Sequence, residues 1–160
     1  MSVSIHISIS RQQLTLSDDQ GELCRFSVST AASGPGEQKN SGCTPRGHHY
    51  IRARIGNNAQ LGSVFIGRRF TGEIYSDDLA RRYPKRDWIL SRILWLSGLE
   101  LGRNRLGAVD TMQRYIYIHG TPDTEPMGEP KSHGCIRMRN EDLVRLFEMV
   151  PVGTPVLIEE

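Results

Sequence analysis

The feature that most constrains this chain is a succession of short segments in which apolar and polar residues alternate, separated by turn residues. Residues 3–9 are Val-Ser-Ile-His-Ile-Ser-Ile, so that every second side chain is apolar. Because successive side chains of a strand point to opposite faces, this alternation predicts a strand with one buried face. Alternation or β-branched apolar runs predict further strands over 12–16, 22–29, 48–55, 61–66, 112–119 and 155–158. Residues 88–96 fit either a helix or a strand buried on both faces, and their β-branched and aromatic content favours the strand.

Only the end of the chain predicts a well-formed amphipathic helix, over 141–149. Apolar residues recur there at spacings of three, four and seven, at Leu143, Leu146, Phe147 and Val150. Asn140 is the expected N-cap, and Pro151 stops the helix. Residues 77–87 are polar and predict one short solvated helix ended by Pro84. The sum is a single mostly β domain over 1–160, a β-sandwich or open barrel with a short C-terminal helix.

Composition excludes several classes of function. The net charge of +2 over 160 residues is too small to indicate a nucleic-acid partner. No segment approaches the roughly 18 consecutive apolar residues of a membrane span. The alternating N-terminus lacks the pattern of a secretion signal, which predicts a cytoplasmic protein; a longer natural chain with an export signal would be periplasmic. Lysine occurs only at 39, 85 and 131, so nearly every cation is arginine, the better partner for a substrate carboxylate.

The densest cluster of reactive side chains lies between residues 115 and 138. It holds His119, His133 and Cys135, the last in a polar, glycine-containing turn. A thiol with imidazoles in reach predicts a cysteine nucleophile, and the two arginines that follow Cys135 favour its thiolate. The alternative is a buried structural cysteine.

Zinc is the rival chemistry for this cluster. Three ligands with an open fourth position are conceivable, but His133 and Cys135 are only two residues apart and no carboxylate has a ligand spacing. His48 and His49 are adjacent on a strand and point to opposite faces. We therefore expect no metal and no cofactor. Cys24 and Cys43 are expected to be thiols in a reducing compartment, and could pair in an oxidising one.

Ser132-His133-Gly134-Cys135, preceded by His119-Gly120-Thr121, resembles the signature of the YkuD family, the L,D-transpeptidase catalytic domain. The resemblance extends through residues 41–47 and 92–96 and implies a β-sandwich. It also implies that Cys135 is the nucleophile, that His119 donates and accepts the proton, and that His133 supports them.

Four further residues complete the expected site. The backbone N–H groups of Gly134 and Cys135 are predicted oxyanion donors. Arg137, two residues after Cys135, is expected on the same face, where it would bind a substrate carboxylate; many family members have asparagine there. Tyr117 either lines the cleft or is a buried strand residue. Ser132 is placed at the substrate site, with its hydroxyl expected to support the turn.

The resemblance also implies a reaction. Cys135 would attack the third residue of a peptidoglycan stem tetrapeptide, release D-alanine and form a thioester. Water as acceptor gives an L,D-carboxypeptidase of murein recycling, which we expect; an amine gives a transpeptidase that forms 3→3 crosslinks. A non-catalytic peptidoglycan-binding module is the third reading, and acylation of the thiol by a carbapenem would exclude it.

Overall fold

A computed structural model describes residues 2–160 and shows a ten-stranded sheet with two α-helices. The helices are α1 (Asp77–Arg82) and α2 (Asn140–Met149). The strands are β1 (Ser4–Ser8), β2 (Gln13–Asp18), β3 (Gly21–Ser29), β4 (Gly47–Ile55), β5 (Ser63–Ile66), β6 (Arg69–Ile74), β7 (Ile89–Gly98), β8 (Tyr117–Gly120), β9 (Ile136–Met138) and β10 (Pro155–Glu159). The mostly β class with a short C-terminal helix is confirmed.

The sheet is continuous and closes on itself. Its strand order is β4-β10-β1-β2-β3-β9-β8-β7, and β4 pairs with β7 as well, which joins the two ends of this run. The hairpin of β5 and β6 extends from β7 as a separate flap of the sheet. Two parallel pairings occur, β1 with β10 and β8 with β9, and the second builds the site described below.

The core lies on the face that the alternating sequence predicts. Ile5 and Ile7 of β1 are buried beside Leu14 and Leu16 of β2, with the intervening side chains more exposed. The helix α2 packs against β7 and β8, and its apolar stripe of Leu143, Leu146 and Phe147 joins the same core cluster. Burial of each such side chain contributes roughly 1.5–3 kcal/mol.

Two predicted elements differ from the observed ones. The strand expected over 112–119 begins only at Tyr117, because turns occupy the preceding residues and Tyr115 has a φ of +56°. The strand β6 was not predicted: Gly72 interrupts the alternation of Phe70 and Ile74, and nearly all of its side chains are exposed. In contrast, the strand expected over 88–96 is confirmed as β7.

The expected N-cap of α2 is wrong. Asn140 is the first helical residue, the cap position belongs to Arg139, and no side chain caps the N-terminus. The Asn140 side chain instead accepts a hydrogen bond from Ser91 Oγ (2.7 Å) and donates one to the Thr121 carbonyl (3.1 Å). Long-range partners therefore outcompete the local capping preference of asparagine.

None of the helices within residues 2–160 is both long enough and apolar enough to cross a bilayer. Cys24, Cys43 and Cys135 are all free thiols. Cys24 lies on β3 opposite Leu16, and Cys43 lies in the long connection between β3 and β4.

Candidate active site

The parallel pairing of β8 with β9 brings the two reactive segments together. His119 lies opposite Arg137 and Ile118 lies opposite Ile136. Ile118 and Ile136 are buried in the main core, so the alternate residues face the other side of the sheet. That side of the sheet holds a pocket of about 500 Å³, to which both segments contribute. Its lining includes Tyr117, His119, Ser132, His133, Cys135 and Arg137.

A rigid turn presents Cys135. The Ser132 hydroxyl donates to the Cys135 carbonyl (2.6 Å) and accepts from the Gly134 N–H (3.2 Å), which is the supporting role expected of Ser132. Thr44 Oγ1 donates to the Gly134 carbonyl (2.9 Å), which ties the turn to the connection between β3 and β4. Gly134 has a φ of +130°, and a Cβ there would lie 3.2 Å from the Cys43 carbonyl oxygen. Glycine is therefore required at this position.

The same hydrogen bonds correct the expectation for the oxyanion site. The Gly134 N–H is already bonded to Ser132 and is not available to a substrate oxygen. The Cys135 N–H has no hydrogen-bond partner among residues 2–160, and it remains as the backbone donor beside the nucleophile.

The surroundings of Cys135 favour its protonated thiol. Its S–H donates to the Tyr115 carbonyl (3.4 Å), and its sulfur accepts from the Tyr117 N–H (3.3 Å). Burial raises the pKa of Cys135 to about 12, against the opposing effects of the Tyr117 N–H, Arg137 and Arg114. The predicted thiolate is therefore not favoured in the resting protein, because desolvation of the sulfur outweighs the nearby positive charge.

The second arginine after the nucleophile does not help to ionise it. Arg139 is directed elsewhere, and its guanidinium donates to the Asp123 and Glu125 carbonyls at 3.0 and 2.8 Å. Sequence proximity to Cys135 therefore does not imply proximity to the sulfur.

His119 is a neutral base that faces the pocket. Its ring is buried, and Nδ1 lies 2.7 Å from the Gly120 carbonyl oxygen. Because a carbonyl can only accept, Nδ1 carries the hydrogen and the neutral ring leaves Nε2 unprotonated. Burial lowers the pKa of His119, which favours this neutral form. Nε2 has no partner within the described chain, and no hydrogen bond joins it to the thiol in this state.

His133 lies at the rim of the pocket. Its side chain is 76% exposed, and Nδ1 lies 3.7 Å from Asp87 Oδ2. The ring makes no hydrogen bond with Cys135. The structure therefore places His133 where it can meet a substrate rather than beside the sulfur.

Arg137 is held inside the pocket by acidic partners. Its side chain is 8% exposed. Its guanidinium lies 3.2 Å from Asp87 Oδ1 and 3.6 Å from Glu125 Oε2, and it donates to the Lys131 carbonyl (3.3 Å). As predicted, Arg137 shares the pocket with Cys135. Asp87 is exposed, as expected for the polar residues 77–87, and it also lines the pocket, where it lies beside Arg137 and His133.

Tyr117 lines the pocket and is buried at the same time, so both of its predicted roles apply. Its hydroxyl accepts a hydrogen bond from Arg68 (2.9 Å), and the Arg68 guanidinium stacks 4.6 Å from the Trp95 ring and 4.9 Å from the Tyr115 ring. Arg68 comes from the tip of the β5–β6 hairpin.

The sequence did not identify Arg68, Asp87 or Arg114 as pocket residues. The turn dipeptide Gly67-Arg68 between two apolar segments was the only usable signal, since it could have indicated a hairpin tip. Asp87 and Arg114 carried no local signal.

Metal-binding geometry is not present in the part of the chain that the structure describes. No group of three His, Cys, Asp or Glu side chains within 2–160 could hold an ion. His48 is exposed and His49 is buried, which confirms that they occupy opposite faces.

Comparisons with known proteins identify one family. A family model for YkuD, the L,D-transpeptidase catalytic domain, matches residues 2–158. The putative L,D-transpeptidase YqjB of Bacillus subtilis is 47% identical over 62 residues, which are 38% of this chain and 35% of that protein. The probable L,D-transpeptidase YbiS of Escherichia coli is 56% identical over 43 residues, 27% of this chain and 14% of that protein. The matched segments thus span about a third or less of these relatives.

Solved structures share the fold at low identity. L,D-transpeptidase 3 from Mycobacterium tuberculosis, in complex with a faropenem-derived adduct, superimposes with a TM-score of 0.61 at 20% identity, covering 99% of this chain and 60% of that one. The L,D-transpeptidase LdtMt1 in complex with imipenem superimposes with a TM-score of 0.59 at 20% identity, covering 99% of this chain and 59% of that one. With the family model matched over nearly its whole length, the chain belongs to the YkuD family of L,D-transpeptidase catalytic domains.

Proposed function

We propose that this chain acts on peptidoglycan stem tetrapeptides by acyl transfer through a thioester on Cys135, with water as the acceptor. The observation that carries the proposal is the unprotonated Nε2 of His119, which faces the same pocket as the Cys135 thiol. A thiol and a neutral imidazole at one pocket are the parts that cysteine-based acyl transfer requires.

The protonation states set the order of events. The Cys135 proton moves to His119 Nε2 as the sulfur attacks the carbonyl of the third residue, because a free thiolate is costly in this buried place. The Cys135 N–H stabilises the oxyanion. The His119 imidazolium then protonates the leaving amine of D-alanine, which leaves the thioester. His119 next takes a proton from water, whose oxygen attacks the thioester, and the thiol is restored with release of the tripeptide.

The charges of the pocket support both substrate and acceptor. Three guanidinium groups line it, from Arg68, Arg114 and Arg137, against the single carboxylate of Asp87. Stem peptides carry several carboxylates, which these cations attract. An acceptor amine arrives mostly as an ammonium ion and is repelled by the same field, whereas neutral water is not.

The test is product analysis after incubation with a disaccharide tetrapeptide. We expect disaccharide tripeptide and D-alanine, and no release by the Cys135→Ala variant. The Cys24→Ala variant, which changes a thiol on β3 away from the pocket, is the matched control and should retain turnover. Crosslinked dimers among the products would show that the acceptor is an amine of a second stem peptide and not water.

Mass spectrometry after exposure to a carbapenem tests the nucleophile separately. We expect an adduct on Cys135 alone. An unmodified protein that also releases no D-alanine would indicate a peptidoglycan-binding module without catalysis.

A further inference from the structure

A second cavity of about 420 Å³ adjoins the reaction pocket. The two cavities share a wall made of Arg114, Tyr115, Ile116 and His133. The outer side of the second cavity is formed by Lys39, Asn40, Gly42 and Gln113. Nothing in the mechanism above uses these four residues.

The lining has a distinct chemistry. The side-chain amides of Asn40 and Gln113 are exposed and make no hydrogen bond with residues 2–160. The Tyr115 ring is 54% exposed beside them. Primary amides donate and accept at once, which suits vicinal hydroxyl and acetamido groups. An exposed aromatic ring offers an apolar surface for the C–H face of a pyranose.

The cavity is also pre-formed. Asn40 has a φ of +65°, and the Lys39 N–H donates to the Ala108 carbonyl (2.7 Å). Arg114 ties the same connection down through the Gly36, Glu37 and Cys43 carbonyls at 3.3, 3.3 and 2.6 Å. Because the connection is already ordered, a ligand does not have to order it on binding, and the entropic cost of binding is lower.

Charge distinguishes between occupants. No carboxylate of the described chain lines this cavity, whereas Lys39 and Arg114 do. An ammonium group of a second stem peptide would therefore be repelled, and a neutral sugar would not. A sugar three residues from the attacked carbonyl lies up to roughly 10 Å from it, a distance that suits a neighbouring cavity rather than the reaction pocket.

We propose that this second cavity binds the saccharide of a disaccharide peptide, so that the site prefers a glycan-linked stem over a free peptide. The inference rests on the proposed function, because it takes the reaction pocket to hold the stem peptide. Asn40 and Gln113 bind hydroxyl and acetamido groups, and Tyr115 packs against the sugar ring.

Binding to the Cys135→Ala variant tests the proposal by calorimetry, with the disaccharide tetrapeptide and the free tetrapeptide as ligands. We expect the disaccharide form to bind more tightly, by roughly fivefold for each hydrogen bond that the amides supply. Adding Asn40→Gly and Gln113→Ala should remove the preference and leave the affinity for the free tetrapeptide unchanged.

The chain offers matched controls for both substitutions. Asn58 is exposed with a φ of +63°, like Asn40, and lines neither cavity. Gln20 is exposed, and its N–H donates to an aspartate carboxylate as that of Gln113 does. Asn58→Gly with Gln20→Ala should keep the preference of the parent protein.

Equal affinities for the two ligands, or a preference that survives the Asn40 and Gln113 changes, would overturn the proposal. Failure of the proposed function appears separately, as absence of D-alanine release from either ligand by the protein with Cys135 intact.

Discussion

At the scale of single residues, the site is a pair of neutral groups rather than an ion pair. Burial lowers the pKa of His119 and raises that of Cys135, so both effects favour the uncharged forms. The Nδ1–H bond to the Gly120 carbonyl fixes which nitrogen can accept a proton. The sulfur therefore becomes nucleophilic only when a substrate lets the proton move.

The reactivity of the thiol should report this state. We expect the rate of Cys135 alkylation by iodoacetamide to rise continuously from pH 6 to pH 10, because the pKa of the thiol is raised from 9.0 to about 12. Peptide mapping by mass spectrometry follows Cys135 apart from Cys24 and Cys43. A plateau reached near neutral pH would show a thiolate and contradict the neutral pair.

The pH dependence of turnover should report His119. Its pKa is lowered from 6.5 by burial, so the ring stays neutral until the pH falls below that value. The acid limb of kcat/KM for D-alanine release should therefore have its midpoint below pH 6.5. His119→Gln should reduce kcat by roughly 10²–10⁴-fold. A midpoint above pH 6.5, or turnover retained by that variant, would remove His119 as the base.

At the scale of elements, the turn between Ser132 and Cys135 is held from outside as well as from within. Thr44 reaches it from the connection between β3 and β4, ninety residues away in sequence. A Cβ at Gly134 would be crowded by the Cys43 carbonyl oxygen at 3.2 Å. The turn and this connection therefore form one unit that presents the nucleophile.

Replacing Gly134 by alanine should separate backbone strain from crowding. Both Gly134 (φ +130°) and Gly128 (φ +83°) have positive φ, but a Cβ at Gly128 meets nothing within 4 Å. Alanine at either position should cost roughly 1–3 kcal/mol from backbone strain alone. We expect Gly134→Ala to lose more stability in urea unfolding, and to lose D-alanine release, while Gly128→Ala keeps turnover. Equal losses of stability would show that the Cys43 contact is unimportant.

At the scale of the whole molecule, closure of the sheet depends on β4, which pairs with β10 on one side and β7 on the other. His49 lies in β4, fully buried, with Nδ1 2.9 Å from the Gly47 carbonyl and Nε2 2.9 Å from Thr111 Oγ1. Burial lowers the pKa of His49 to about 4, so the folded chain keeps this ring neutral at neutral pH.

This burial predicts a loss of stability in acid. The unfolded chain binds a proton at His49 near pH 6.5, and the folded chain only near pH 4. Stability is therefore complete above pH 6.5 and falls as the pH drops towards 4, by up to about 1.4 kcal/mol per pH unit. The pKa of His119 is also lowered by burial, so this residue likewise makes the free energy of unfolding decrease as the pH falls. Urea unfolding at pH 7, 6 and 5 gives the free energy of unfolding at each pH. This free energy should fall less steeply with pH in His49→Gln than in the parent chain, whereas the exposed His48→Gln should behave like the parent.

The sequence alone determined the strands, the apolar stripe of α2 and the cluster of His119 and Cys135. These depend on local periodicity and on a short motif, both of which are visible within a few residues. Tertiary structure decided the charge state of the thiol, the recruitment of Arg68 and Asp87 to the pocket, and the use of Asn140 outside the cap. Burial and contacts between positions about fifty residues apart, such as Arg137 with Asp87, depend on the closed sheet, and no local pattern encodes them.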